Sequence, residues 1–217
     1  NEEDADQFNR LFRLLPKETA AEVFSYMEPE IQEKIVRTLT DTELQHILDD
    51  LFMDDYVDLV EEMPANVVKR VMQNTTPANR KLINQYLKYP EDSAGSLMTN
   101  EYVYFRSGIT VAKAFEIIRE HGVDKETIYT CYVIDNDRTL LGLVTVKSLL
   151  LCEDDDTPIS QIMVTNLISV TTQDDQEEVA RMFSKYNFLA LPVVDGEHRM
   201  VGIVTFDDAM DVMEDEA

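Results

Sequence analysis

Two stretches of the chain are rich in carboxylates and contain no basic residue. Between Thr38 and Val68 there are nine Asp or Glu and no Lys or Arg; beyond Arg199 there are six acids and again no Lys or Arg. Oxygen donors of this kind suit a hard divalent cation, which typically takes one or two carboxylates per ion and keeps much of its water. The spacing fits, because Asp54 and Asp58, and likewise Asp208 and Asp211, fall on one face if their segments are helical. The plainer reading of each stretch is a solvated helix face. Two such faces docked without cations would repel, since unit charges 4 Å apart near a surface interact by roughly 4 kcal/mol. Divalent ions would turn that penalty into a clamp.

The other chemistries the composition could support are narrowed by the same inspection. With 43 acidic against 19 basic residues and a formal charge of -24, phosphate backbones and anionic lipid surfaces are repelled, so nucleic acid is not an expected partner. Cations or basic proteins are the natural counter-species. An acidic surface that merely keeps the chain soluble is the alternative. His46, His121 and His198 show neither zinc-site spacing nor an adjacent nucleophile, and there is no Gly-rich phosphate loop. Cys131 and Cys152 are too few for a Cys-based metal site and read as reduced thiols of a cytosolic compartment. The ten methionines fall at apolar positions and read as core. No apolar run approaches the roughly 20 residues of a membrane span. Starting at Asn1 without Met and ending in an acidic run, the chain is expected to be part of something longer. It is not expected to be an enzyme.

The elements that must position the acids follow from periodicity. From Phe8 to about Tyr89 apolar residues recur at three- and four-residue steps, with Leu11, Leu14 and Leu15, then Val23, Phe24 and Met27, then Ile31, Ile35 and Leu39. Helix-start residues stand at Pro16, Pro29, Asp41, Asp54, Pro64 and Pro77, about a dozen apart, and this half has no Gly. The pattern predicts short helices of about two turns, which cannot bury an apolar stripe alone and must stack as an all-α superhelical solenoid. After Tyr89-Pro90 β-branched runs appear at Tyr102 to Tyr104, Tyr129 to Ile134 and Leu141 to Val146, around a helical stretch from Val111 to Arg119. The order then returns. Met98-Thr99 corresponds to Met163-Val164, and Gly142-Leu143-Val144-Thr145 to Gly202-Ile203-Val204-Thr205. A duplication of about 60 residues, each copy strand, helix, strand, strand, helix, makes the second half α/β. The predicted architecture is a multidomain α+β chain divided as 1–90, 91–153 and 154–217, with acidic Glu153 to Asp156 as a solvated connection between copies.

Leu191-Pro192-Val193-Val194-Asp195 followed by Gly202-Ile203-Val204-Thr205-Phe206-Asp207-Asp208 resembles a CBS repeat. Two in tandem resemble a Bateman module, which implies binding of adenosine nucleotides or ions between the repeats and control of an attached domain. An acidic helical solenoid directly upstream resembles the cytosolic part of MgtE magnesium transporters. The matching segments are Ala20 to Val23, Met53 to Asp58, Ala94 to Thr99, Glu126 to Tyr129 and Asp175 to Ala180.

That resemblance implies a dimer, paired through its CBS repeats, that closes on intracellular Mg2+ and shuts a covalently attached transmembrane pore beyond Ala217, from the cytoplasmic side of the cell membrane. It implies metal positions at Glu22, Asp54 and Asp58 in the helical domain, at Asp175, Asp208 and Asp211 in the second repeat, and at Glu216. Backbone carbonyls near Ser96 and Ser184 would assist. Asn187 departs from a position that commonly carries a carboxylate in the family. The adenosine pockets of CBS repeats use a Thr or Ser followed three residues later by Asp. The first copy has Ser148 after Thr145 and lacks that carboxylate; the second keeps Thr205 and Asp208, with Phe188 as a stacking surface. Acids around Asp208 disfavour a polyphosphate, so weak or absent ATP binding is expected. The competing readings are a nucleotide-sensing CBS module of another transporter or enzyme, and a helical adaptor for basic proteins.

Overall fold

The structure, a computed structural model, describes residues 11–215. It divides into two units at Lys88/Tyr89, and each is described by itself. The first is entirely helical among the described residues: α1 (Lys17–Ser25), α2 (Pro29–Thr38), α3 (Asp41–Asp50), α4 (Met53–Glu62), α5 (Ala65–Asn74) and α6 (Pro77–Tyr86). Each start lies within one residue of the position the sequence predicts. The helices are longer than predicted, nine or ten residues and so nearly three turns. Pro29 and Pro77 occupy first-turn positions where a missing N–H costs nothing. Thr40 and Glu43 close α3 reciprocally, the Thr40 amide donating to Glu43 Oε2 at 2.7 Å and the Glu43 amide to Thr40 Oγ1 at 3.3 Å.

Helices pack on the next but one, α1 on α3, α3 on α5 and α4 on α6, with α2 also against α5. Phe24, Val36, Leu44, Leu48, Val71 and Ile83 are buried between them. Without glycine to terminate helices, arginines from elsewhere in the unit satisfy the last carbonyls. Arg13 donates to Thr38 O at 3.1 Å, Arg70 to the carbonyls of Val36 and Leu39, and Arg80 to Met72 O at 2.6 Å and Thr75 O at 3.1 Å.

The second unit opens with the short helix α7 (Ala94–Leu97) and holds two copies of one pattern. The first comprises β1 (Tyr102–Arg106), α8 (Val111–His121), β2 (Thr127–Ile134), β3 (Leu140–Thr145) and α9 (Val146–Leu150). After α10 (Ile159–Ile162), the second comprises β4 (Val170–Thr171), α11 (Gln176–Tyr186), β5 (Ala190–Val194), β6 (Met200–Thr205) and α12 (Phe206–Asp215). Each forms a three-stranded sheet, first pair parallel and second antiparallel, with the register irregularity at the same place, Val133/Ile134 and Val193/Val194. The hairpin turns match as well. Asp135 Oδ1 accepts from the amides of Asp137 and Thr139, Asp195 Oδ1 from those of Glu197 and Arg199, and Arg138 and His198 are left-handed at φ 69° and 60°.

The copies are bound by exchange. The segment leading into the first copy pairs with the second, Thr99 and Ile203 trading amide bonds of 2.8 and 2.9 Å; the segment leading into the second pairs with the first, Leu143 and Val164 trading bonds of 3.0 and 2.9 Å. Gly142 and Gly202 permit these approaches. A Cβ on Gly142 would lie 2.7 Å from Val164 O, and one on Gly202 2.8 Å from Thr99 O. The two sheets bury a common cluster that includes Tyr102, Tyr132 and Ile134 from one copy and Val194, Met200 and Ile203 from the other. Arg138 donates to Tyr102 Oη of its own copy at 2.8 Å and crosses to the other copy to donate to Met200 O at 3.2 Å.

Candidate metal centre

At the end of β6 the amide and hydroxyl of Thr205 both donate to Asp208 Oδ2, the amide at 3.2 Å. This turns the Asp208 side chain back over the start of α12, where it is half-buried. Burial pushes its carboxyl up to about 6; the Thr205 hydrogen bonds pull the other way, and the charges of Asp207 and Asp211 add to the rise. Asp211 follows one turn later on the exposed surface of α12. Burial, with the neighbouring acids adding to it, thus disfavours the charged form of this carboxyl. A divalent cation among them would favour the charged form, so the donor set fits a hard, oxygen-seeking ion. In the first copy an uncharged Ser takes the place of Asp208, and the bonds are reciprocal. Thr145 Oγ1 accepts from the Ser148 amide at 3.1 Å, and Ser148 Oγ accepts from the Thr145 amide at 3.1 Å.

Asp175 is exposed and caps α11, its Oδ1 accepting from the amides of Glu177 at 3.0 Å and Glu178 at 3.2 Å. At the other end of α11 Asn187 is left-handed, φ 54°, and its amide donates to Phe183 O at 2.9 Å. Asn tolerates that conformation better than most residues with a Cβ, which accounts for an amide at this position. Phe188 is half-buried in a ring group, 5.4 Å from Tyr186 and edge-on to Phe183 at 6.3 Å. With the Thr205 hydroxyl bonded to Asp208, both nucleotide candidates already have partners inside the protein.

In the helical unit Asp54 and Asp58 sit one turn apart on α4, half-buried and exposed respectively, and Glu22 is exposed on α1. The stretch from Thr38 to Val68, free of basic residues in sequence, is partly countered in space. Arg13 pairs with Glu43 at 3.0 Å and Arg70 with Asp41 at 3.0 Å. The bonds from Thr40, helped by Arg13, hold Glu43 below its ordinary value. Ser96 lies in α7 and Ser184 in α11; Glu216 lies outside the described residues. Among the described residues no group of three or more His, Cys, Asp or Glu is gathered so as to hold a metal. Helical spacing assembles the candidate acids as pairs, Asp54 with Asp58 and Asp208 with Asp211.

All three histidines are exposed, and burial pushes the Cys131 thiol up to about 12. The connection Glu153 to Asp156 is exposed, but its backbone is not loose. Asp155 O accepts from the Ala112 amide at 2.9 Å and Asp154 O from the Thr157 amide at 3.1 Å. No described helix is long and apolar enough to cross a membrane.

The profile of the MgtE intracellular N domain matches residues 1–92, and that of the CBS domain matches residues 94–153 and 159–215. The chain is 42% identical to the magnesium transporter MgtE of Thermus thermophilus over 94% of its own length and 46% of that protein's. It is 32% identical to the MgtE of Bacillus subtilis over 95% of its own length and 48% of that protein's. The chain therefore spans about half the length of these curated relatives. Among solved structures it superimposes with a TM-score of 0.90 and 40% identity on the cytosolic domain of the Mg2+ channel MgtE in complex with ATP, covering 96% of this chain and 85% of that one. A structure of the soluble part of a magnesium transporter matches at a TM-score of 0.79 and 27% identity, covering 100% and 94%.

Proposed function

Because this chain belongs to the family in which an MgtE intracellular N domain precedes a pair of CBS domains, we propose that it is the magnesium-sensing regulatory region of a magnesium channel. Mg2+ held by the acids of the helical unit and of the second repeat favours the closed state of a pore formed by another part of the protein. The observation that carries the reading is the Asp207, Asp208 and Asp211 group, in which burial first, and the charges of Asp207 and Asp211 after it, raise Asp208 and leave a carboxyl that a cation would return to its charged form. Asp54, Asp58 and Glu22 supply donors from the helical unit, Asp175 and Glu216 complete the set, and Asn187 contributes an amide oxygen in place of a carboxylate. The region works by binding and carries out no catalytic step. It sits on the cytoplasmic side of the membrane and pairs with a second copy through its CBS helices. Leu150 and Leu151 support the pairing: they are 67% and 71% exposed beside a cavity of about 370 Å³ lined by Phe115, Leu149 and Cys152.

The ATP complex of the related cytosolic domain favours a second, subordinate reading in which a nucleotide tunes the sensor. In this chain Ser148 stands where the ribose-binding carboxylate would, so nucleotide binding is weak. Calorimetry on the 217-residue chain tests both readings. Mg2+ gives saturable heat that falls in Asp208→Asn, whereas ATP without metal gives little. Saturable heat from ATP and none from Mg2+ would overturn the assignment.

A further inference from the structure

The segment that joins the two units is seated on the second repeat at the residue pair that starts α11. Asp92 O accepts from the Gln176 amide at 2.9 Å, and Asp92 Oδ1 from Gln176 Nε2 at 3.2 Å. The next residue, Ser93, is buried and pairs as an antiparallel bridge with Asp175. Ala94 and Gly95 then donate their amides to Asp174 O at 2.7 Å and Thr172 O at 3.2 Å. Gly95 is required for this seat, because a Cβ there would lie 2.7 Å from Thr172 O and 2.7 Å from the Tyr89 ring. Asp92 is left-handed at φ 55°, a conformation held by its two contacts with Gln176.

Asp175 therefore stands at a junction. Its flanking residues Asp174 and Gln176 hold the connecting segment through their backbones, and its own Oδ1 takes both bonds of the helix cap, so that Oδ2 can meet a cation without uncapping α11. We propose that Asp92 to Gly95 is the element through which a divalent cation at Asp175 acts on the helical unit, with Gln176 as its positioning residue. The inference rests on the magnesium-sensing reading, in which Asp175 is a ligand. A cation that fixes Asp175 also fixes the strand-like pairing with Ser93 and the amide bonds that follow it. By linkage, a well-seated segment must raise the affinity for that cation.

Amide hydrogen exchange at Ala94 and Gly95 in the 217-residue chain tests the proposal directly. Millimolar MgCl2 should slow exchange of both amides about tenfold, and Asp175→Asn, which keeps a capping oxygen, should abolish the slowing. Gln176→Ala should raise the Mg2+ concentration needed for compaction in scattering about fivefold, with the thermal midpoint of the second unit little changed. Exchange at Ala94 and Gly95 that ignores Mg2+ while calorimetry records its binding would overturn the coupling and leave the sensor reading standing. Equal slowing in Asp175→Asn, or an unshifted compaction midpoint in Gln176→Ala, would also overturn it. The absence of any Mg2+ response in the parent would overturn both readings together.

Discussion

The two CBS copies share strand order, register irregularity, left-handed hairpin residue and a Thr cap, yet differ at the end of the last strand. In the first, Thr145 is followed by Ser148 and a five-residue helix; in the second, Thr205 is followed by Asp208 and a ten-residue helix with no basic residue. In both copies the Thr amide and hydroxyl donate to the side chain three residues on, so what that position contributes to stability can be separated from what its charge contributes. Where the copies agree, the residues serve the backbone: Asp135 and Asp195 accept its turn amides, and Gly142 and Gly202 admit the exchanged segments. Where they diverge, at Ser148 against Asp208, the scaffold is indifferent and chemistry is free to be chosen.

The comparison is broken most severely at the shared positions. Gly142→Ala and Gly202→Ala each place a Cβ within 2.8 Å of a backbone oxygen on the segment exchanged from the other copy. Each is expected to cost about 1–3 kcal/mol. Because the exchange joins the copies, either substitution should lower one common urea transition without changing its slope. A second transition confined to the altered copy would show that the exchanged segments do not unite them.

A smaller effect sharpens the comparison at the divergent position. Asp208 is raised from its ordinary value of 3.8 to about 6. Its contribution to stability is therefore fully present below pH 3.8 and lost as pH rises through about 6. In metal-free buffer Asp208→Asn should be more stable than the parent at pH 7.5 by on the order of 2 kcal/mol, the gap closing as pH falls towards 4. Ser148→Asn in the first copy should show no such pH-dependent gain. A pH-independent difference between Asp208→Asn and the parent would mean that burial and the neighbouring acids do not raise this carboxyl.

The sequence is most legible where single residues dictate the backbone. Pro29, Asp41 and Pro77 announce helix starts, and the recurrence of Gly-x-Val-Thr and Gly-Ile-Val-Thr announces the duplication. Helix length is less legible, because only the starts are marked by residue type while the ends are closed from a distance by Arg13, Arg70 and Arg80. The exchange of Met98-Thr99 and Met163-Val164 between copies is hidden for a different reason. Equivalent segments look the same in sequence whether each packs on its own repeat or on the other. At the candidate metal centre the acidic pairs can be read from helical spacing. The cap at Asp175 and the left-handed Asn187 are local, each bonded within four residues, whereas the arginine partners of Asp41 and Glu43 come from about 30 residues away and no local pattern announces them.

In the magnesium-sensing function proposed above, these acids bring the helical unit and the second repeat together only when a divalent cation offsets their repulsion. Small-angle scattering of the 217-residue chain, first in chelator and then in millimolar MgCl2, tests it most directly. The radius of gyration should fall on adding Mg2+, reversibly, and should already be smaller in chelator when Asp54→Asn and Asp208→Asn are combined. A radius of gyration unchanged between chelator and Mg2+ in the parent chain would contradict the account.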